Sequence, residues 1–348
     1  MNAAAQTEGH RAAQEIRSQP ETWAAASIEI GRHAADGLPE LTAFADVVFT
    51  GCGSTHYLAQ WAAAHTRALH GIPATAVPAS ELYLNLETWV PRSPALLVAI
   101  SRSAKTTETA RAVGAFQDRG LGEVTLVTCA PEEPLAADAM WVLGTPSAME
   151  ETVPQTRSFT SMMLALSWLL AVAPDAGVID AIAAEGRRLL SAFADGLPAA
   201  ADPNTAYTFL GTGPRWGLAS EAMLKIKEMS LSPSEAFQSL EFRHGPISTV
   251  TAQSLVVGLT PSTGVETELA VLDDVAELGA ATALVGPGAE ALAAGRHTPV
   301  AFDPELPVPW RDVLYLPAIH QTALAAATTK GLDPDRPSNL QAVVILDD

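Results

Sequence analysis

Two short stretches carry the ionisable side chains whose types and spacing could do chemistry. Ser220–Glu228 reads Ser-Glu-Ala-Met-Leu-Lys-Ile-Lys-Glu, and Phe242–Pro246 reads Phe-Arg-His-Gly-Pro. They set a carboxylate, an ammonium and an imidazole close together in an otherwise apolar region. Carboxylate and imidazole groups are the usual general acids and bases of proton transfer.

A helix through the first stretch brings its polar side chains to one side. At roughly 100° per residue, Glu221, Lys225, Glu228 and Ser232 fall within about 60° of one another. The opposite arc is apolar and predicted to face a core; it consists of Ala222, Met223, Ile226 and Met229. Two interpretations stay open: a firmly held acid/base group, or an exposed face with an i,i+3 or i,i+4 ion pair.

The composition indicates a soluble protein with a large core. The chain has 348 residues, 48% hydrophobic and 17% charged, which predicts about two domains. A net charge of −19 disfavours nucleic acid as a partner. Cys52, Cys129 and the histidines form no metal or disulfide spacing. The start lacks the apolar core of a signal peptide, and the longest apolar run, 162–173, is too short for a membrane span. We therefore expect a cytoplasmic location, no membrane partner and no metal.

The chain repeats a pattern at an offset of about 160 residues, counted on the sequence. Val47–Gly53 and Tyr207–Gly213 are both apolar runs that end in Gly-x-Gly. Further matched runs are 96–100 with 255–259, the latter leading into Thr260-Pro-Ser262, and 124–127 with 283–285. Strands alternating with helical stretches predict two copies of an α/β domain with a mainly parallel sheet.

Stretches rich in Gly and Pro, which interrupt helices and strands, predict the boundaries between the parts of the chain. A helix is expected over roughly 8–34, a Pro/Ala/Asp-rich divider at 195–204, and a strand-like segment at 342–346. The predicted parts are an N-terminal helical segment (1–34), a first domain (35–194), a second domain (195–330) and a C-terminal tail (331–348).

A hydroxyl-rich loop, Ser101–Thr109, follows an apolar strand and precedes a helix that starts near Thr107. Hydroxyls and the free N–H groups of a helix N-terminus bind anions without a net positive charge. Arg102 or Lys105 can add charge. An ordinary helix cap needs one hydroxyl, so the four or five here favour a phosphate site.

Three other segments each have a structural and a functional interpretation, and both stay open. The turn Gly51–Thr55 lacks the third glycine of a dinucleotide fingerprint, which disfavours NAD and leaves a tight turn or a sugar contact. Glu150–Phe159 is a capping region or a wall of a substrate site. His244 is structural, or titrates near neutrality beside Arg243 and nearby glutamates.

Taken in order, these segments resemble the sugar isomerase (SIS) family, and most closely the isomerase half of glucosamine-6-phosphate synthase and its relatives that deaminate amino-sugar phosphates. The resemblance covers nearly the whole chain. The matching motifs are Glu15–Pro20, Gly51–Thr55, Ser101–Ser103, Thr156–Thr160, Glu221–Glu228, Glu241–Pro246 and Asp335–Leu340. It implies two tandem SIS domains, each a mainly parallel five-stranded sheet flanked by helices in a flavodoxin-like three-layer sandwich.

The resemblance also implies roles for single residues. Glu228 would move a proton between C1 and C2, with Lys225 beside it. His244 would open the sugar ring from a second subunit, so a homodimer would share its active sites. The implied substrate-binding residues are Ser54, Thr55, Ser101, Arg102, Ser103, Thr106, Val153, Gln155 and Glu221. No cofactor is implied.

Departures from the family pattern narrow the expected reaction. Ala342 stands where the synthase has an imine-forming lysine, and Ala104 and Lys105 replace the usual Gly and Glu of the phosphate loop. The chain begins Met1-Asn2, without the glutamine-hydrolysing domain. We expect an amino-sugar-phosphate deaminase/isomerase acting on glucosamine-6-phosphate or a close relative. The alternatives are an enzyme for a fructosamine phosphate or another sugar phosphate, and a sensor that binds without chemistry.

Overall fold

The computed structural model describes residues 10–171, 173–261 and 264–346. The start of the predicted N-terminal segment, Ser262 and the end of the tail lie outside these ranges. The chain forms two compact units. One contains Glu21–Glu151, Arg157–Asp180 and the tail from Gln341; the other contains Thr152–Thr156, Ala181–Leu340 and the described part of Met1–Pro20.

The first of these units holds a five-stranded sheet. Its strands are β1 (Asp46–Gly51), β2 (Ala74–Pro78), β3 (Ala95–Ile100), β4 (Gly122–Thr128) and β5 (Trp141–Gly144). They lie in the order β2-β1-β3-β4-β5, and every pairing is parallel. All six residues of β3 are buried, as expected for a strand covered on both faces.

The second unit holds another five-stranded parallel sheet. Its strands are β6 (Ala206–Gly211), β7 (Ser234–Phe237), β8 (Ser254–Leu259), β9 (Ala281–Pro287) and β10 (Thr298–Phe302). Their order is β10-β9-β8-β6-β7. Read from β7, this is the strand order of the first sheet. The expected α/β fold with two parallel five-stranded sheets flanked by helices is confirmed.

Helices connect the strands. They are α1 (Arg11–Arg17), α2 (Gln19–Ala35), α3 (Ser54–His70), α4 (Ala79–Leu84), α5 (Thr107–Asp118), α6 (Arg157–Leu170), α7 (Ala176–Ala192), α8 (Pro214–Ser230), α9 (Glu266–Glu277), α10 (Ala289–Ala293) and α11 (Pro317–Thr329). Short 3₁₀ turns occupy Leu41–Ala43, Leu86–Thr88, Pro134–Asp138, Pro146–Ala148, Pro198–Ala201, Glu241–Arg243, Pro246–Thr249 and Trp310–Tyr315. None of the helices in the described ranges has the length and apolar character needed to cross a bilayer.

Each sheet packs apolar side chains against its connecting helices. In the first unit Leu97 and Leu126 of the sheet share a cluster with Phe116 of α5. In the second unit Val256 and Leu284 share a cluster with Leu272 of α9. Burying such side chains contributes about 1.5–3 kcal/mol each, so both sheets have a core of their own.

Two predicted elements differ from the structure. The single helix expected over 8–34 is two helices, because α1 ends at Arg17, with Ser18 as its C-cap, and α2 begins at Gln19. Pro20, which has no N–H to donate, is accommodated in the first turn of α2 rather than in a helix interior. The strand-like segment 342–346 has no strand pairing and is irregular; its main-chain atoms bond to a loop instead, as described below.

Candidate functional site

The predicted phosphate loop joins β3 to α5 in the first unit. Ser101 is 3% exposed, and its N–H donates to Val127 O at 3.0 Å. Its Oγ is buried and has no hydrogen-bond partner among the described residues. Ser103 Oγ accepts from the Lys105 N–H at 3.2 Å, and Thr106 is the N-cap of α5 without a side-chain cap bond. The loop therefore presents hydroxyls at a helix N-terminus, as an anion site requires.

The two substituted positions of this loop have physical consequences. Ala104 has φ +52°, a left-handed conformation that costs a non-glycine residue roughly 1–2 kcal/mol. A glycine, which the resemblance implies at this position, would fit this backbone without that cost. Lys105 Nζ lies 2.7 Å from Glu133 Oε1 and is 53% exposed. Its charge is therefore paired at the surface and is not free for a phosphate.

Arg102 is 5% exposed, and its charge is balanced inside the first unit. Nη1 lies 3.5 Å from Glu150 Oε2, and Nη2 donates to Ala342 O at 3.0 Å. Glu150 also accepts from the Arg157 N–H at 2.8 Å and from the Ser158 hydroxyl. Glu150 thus links the predicted phosphate loop to the start of α6.

The C-terminal tail lies on the same loop. The Thr107 N–H donates to Val344 O at 3.3 Å, and the Leu346 N–H donates to Thr107 Oγ1 at 3.1 Å. Together with the bond from Arg102, these contacts give tail main-chain groups partners that a sheet edge would otherwise supply. Lacking a neighbouring strand, the apolar run at 342–346 stays irregular.

The turn after β1 is built on two glycines. A Cβ on Gly51 would lie 2.5 Å from Thr55 Oγ1, and Gly53 has φ +56°. Thr55 Oγ1 accepts from the Cys52 N–H at 2.8 Å and donates to Cys52 O at 3.0 Å. Its hydroxyl therefore holds the turn. Its neighbour Ser54 begins α3 and is buried, and the sugar contact expected of both stays a prediction.

Sequence reasoning missed a small cavity of about 170 Å³ at the carboxyl ends of β1 and β2. Cys52 Sγ donates to Glu108 Oε2 at 3.7 Å there. Burial, and secondarily the Glu108 carboxylate, raise the pKa of the Cys52 thiol to about 11. The thiol is thus protonated at neutral pH and a poor nucleophile. No spacing in the sequence relates these two residues; only strand order brings them together.

The second unit carries the Glu/Lys/Glu group on α8. Lys225 Nζ lies 3.3 Å from Glu221 Oε1 and 2.5 Å from Glu228 Oε2. The side chains of Glu221 and Lys225 have 0% exposure, whereas Glu228 keeps 17%. The group therefore fixes one partly open carboxylate through an ammonium that solvent does not reach.

This arrangement overturns the interpretation of the α8 face as exposed, whereas the firmly held acid/base group stays a prediction. The face is not exposed, because α11 packs against α8 and both Glu221 and Lys225 are buried. Ser232 does not share the helix face, because Leu231, at φ +52°, ends the helix before it. The i,i+3 and i,i+4 ion pairs expected from the spacing are both present.

His244 is exposed and forms no hydrogen bond or ion pair with Glu221, Lys225 or Glu228. Its N–H donates to Glu241 O at 3.0 Å, and its ring makes no hydrogen bond or ion pair within the described residues. Arg243 binds Asp274 at 2.6 Å. Of the expected sugar contacts in this unit, Gln155 has a buried Oε1 without a described partner, and Val153 is half-buried.

One group of possible metal ligands occurs within the described ranges, and the spacing in the sequence did not indicate it. Ligand atoms of His10, Asp333 and Asp335 lie within 4.8 Å of one another. Asp335 accepts from the N–H groups of Arg11 at 2.9 Å and Ala12 at 2.8 Å. Both of its oxygens thus cap α1, which accounts for the cluster as a helix cap.

Two open parallel sheets with polar loops at their carboxyl ends define an α/β protein of the class that binds ligands at strand ends. Residues 41–173 match the family model described as SIS domain. The chain therefore contains a SIS domain over these residues.

Curated relatives and solved structures agree with this assignment. The chain is 31% identical over 275 residues to a glutamine–fructose-6-phosphate aminotransferase of Pyrobaculum aerophilum, covering 72% of this chain and 44% of the relative. A Pseudomonas aeruginosa enzyme of the same name is 26% identical, with 87% and 52% covered. The chain spans about half the length of these relatives.

Among solved structures, a glucosamine-6-phosphate deaminase of Thermotoga maritima has a TM-score of 0.78 and 25% identity, with 97% of this chain and 100% of that chain covered. A tagatose-6-phosphate ketose/aldose isomerase of Escherichia coli has a TM-score of 0.84 at 21% identity, with 98% and 97% covered. The second likeness shows the fold alone.

Proposed function

We propose that the chain is an amino-sugar-phosphate deaminase/isomerase. It would convert glucosamine-6-phosphate, or a close relative, to a ketose phosphate and ammonia. The observation that carries the proposal is the Glu228 carboxylate, partly exposed and held 2.5 Å from the wholly buried Lys225. The similarity to the Thermotoga maritima deaminase over the whole of that chain supports the substrate class.

In the proposed reaction, ring opening exposes a C1 aldehyde beside the C2 amine. Glu228 removes the C2 proton as a carboxylate base within about 3 Å and returns it to C1. The product is a C2 ketimine, and one water releases ammonia and leaves the C2 ketone. Amino-sugar phosphate plus water thus gives ketose phosphate plus ammonia, with no electron transfer and no cofactor.

The remaining roles belong to the same proposal. Ser101, Ser103 and Thr106 would hold the phosphate, and the ion pair of Arg102 with Glu150 favours a role for Arg102 in holding that loop. His244 would open the ring from a second subunit, so the protein would be a cytoplasmic homodimer with shared sites. The proposed sugar contacts are Ser54, Thr55, Val153, Gln155 and Glu221.

Two alternatives remain separable by experiment. One is an enzyme that acts on a fructosamine phosphate or isomerises a sugar phosphate without an amine. The other is a sugar-phosphate sensor, for which the partly open Glu228 beside Lys225 would have no task.

Ammonia release from glucosamine-6-phosphate, galactosamine-6-phosphate, N-acetylglucosamine-6-phosphate and fructosamine-6-phosphate tests the proposal. Turnover of a free C2 amino sugar supports it, whereas release from fructosamine-6-phosphate alone moves the chain to the first alternative.

Glu228→Gln should abolish turnover and leave substrate binding intact. Glu235→Gln, at an exposed carboxylate on β7, is the matched control. Binding without turnover in the unaltered protein would establish the sensor.

A further inference from the structure

His320 lies on α11, the helix that packs against α8 in the second unit. Its side chain has 0% exposure. Neither Nδ1 nor Nε2 has a hydrogen-bond partner among the described residues. Burial, and secondarily the Lys225 ammonium, lower the pKa of this histidine to about 3, so the ring is neutral in the folded protein.

A buried histidine without hydrogen bonds lowers the stability of the fold if it serves only to fill space. A buried polar group without a hydrogen bond costs about 1–3 kcal/mol, and this ring has two such atoms. A leucine at this position would fill similar space without either cost. An unsatisfied buried polar group in a folded protein calls for an explanation, and a functional role is one of those recognised. His320 and Lys225 lie on two helices that pack against each other, and both side chains are fully buried, so Lys225 is the charged group whose position His320 can influence.

We propose that His320 is a positioning residue for Lys225 in the proton transfer of the proposed function, on which this inference rests. Lys225 is held by two carboxylates, Glu221 at 3.3 Å and Glu228 at 2.5 Å. When Glu228 takes the substrate proton, it becomes a neutral acid and weakens as an acceptor for the ammonium.

The lone pair of a neutral imidazole then provides Lys225 with a second acceptor beside Glu221. The ammonium stays in place until Glu228 returns the proton to carbon. Neither Lys225 nor His320 gains or loses a proton in this cycle. A charged ring would repel the ammonium, which is why a fully buried, neutral histidine suits the position.

The test compares His320→Leu with His320→Gln in the full chain. Leucine should leave the melting temperature unchanged or raise it by about 2–4 °C, because it removes unsatisfied polar atoms. It should lower kcat at least about tenfold, and change KM less than about threefold. Glutamine, which restores a neutral acceptor, should recover part of kcat.

His297→Leu is the matched control. His297 is also buried, but its Nδ1 bonds Thr282 Oγ1 at 2.8 Å and its Nε2 lies 3.4 Å from Asp273. Because these contacts are lost, His297→Leu should be less stable than the unaltered protein. Its kcat per folded molecule should be unchanged. His320→Leu could instead lose as much stability as the control while His320→Gln recovers no kcat. That result would show that His320 has only a structural role.

A spectroscopic readout separates this inference from the proposed function. The chain has four lysines, Lys105, Lys225, Lys227 and Lys330, so ¹⁵N-lysine labelling resolves the buried Lys225 ammonium by NMR. His320→Leu should shift this signal, and His297→Leu should not. If the unaltered protein turns over no sugar phosphate, the proposed function fails while the Lys225 signal still tests the contact. An unchanged signal and unchanged kcat in His320→Leu would overturn the inference.

Discussion

Glu221 and Lys225 lie one helical turn apart on α8, with Oε1 3.3 Å from Nζ and no exposed surface on either side chain. Removing two charges from water costs several kcal/mol per ion, and their attraction offsets this only while both are present. The pair is therefore a weak source of stability when intact and a large liability when one partner is lost.

Lys225→Met should lower the free energy of unfolding by about 3–5 kcal/mol, because it leaves buried carboxylate charge uncompensated. Urea unfolding followed by circular dichroism measures this change. Lys227→Met, at an exposed position on the same helix, should change it by less than about 0.5 kcal/mol. Equal losses in the two variants would contradict the buried ion pair.

Ser101→Ala tests the phosphate loop. Because Ser101 Oγ has no described partner, its loss should leave stability unchanged. A hydrogen bond to a charged group is worth about 1.5–3 kcal/mol, so glucosamine-6-phosphate should bind roughly 10–100-fold more weakly by calorimetry. Ser167→Ala is the control, since Ser167 Oγ is buried and donates to Met163 O at 3.0 Å. An unchanged dissociation constant in Ser101→Ala would remove this hydroxyl from the site.

His320 should make stability depend on pH. Its folded pKa is about 3, whereas an unfolded histidine titrates near 6.5. As pH falls below about 6.5 the unfolded state binds the proton first, so stability is complete above that pH and declines below it by up to about 1.4 kcal/mol per unit. Urea unfolding between pH 7.5 and 5 should show a shallower decline in His320→Leu. Parallel curves would show that the ring takes up its proton in the folded state at about the same pH as in the unfolded state.

Asp335→Ala should cost about 1 kcal/mol and lower the melting temperature by about 2–4 °C, because Asp335 caps two N–H groups at the start of α1. Glu277→Ala, at an exposed carboxylate at the end of α9 in the same unit, removes no such cap and is the control. If both variants melt alike, the cap carries no stability.

The sequence predicted best where a pattern is local. Apolar runs such as Leu96–Ile100 became strands, and the helix expected near Thr107 begins there. The spacing of Glu221, Lys225 and Glu228 predicted the ion pairs. It could not predict their burial, because that depends on α11, about ninety residues later in the chain.

The other features that the sequence did not predict depend on the folded structure rather than on local sequence. The sequence did not single out His320, since nothing near it in sequence indicates Lys225. The run at 342–346 has strand-like composition, but a strand also needs an open sheet edge, and composition does not report one. Ala104 differs from the family pattern by one methyl group, yet only its φ of +52° reveals what that group costs.

The tail contacts have a consequence for substitutions in the tail. Arg102 binds Ala342 O, Thr107 binds Val344 O, and Leu346 contributes its N–H. All three tail partners are main-chain atoms, so none of these bonds depends on the side chains that the tail carries. A substitution at position 342 can therefore change the side chain carried there while the carbonyl of that residue keeps its bond to Arg102.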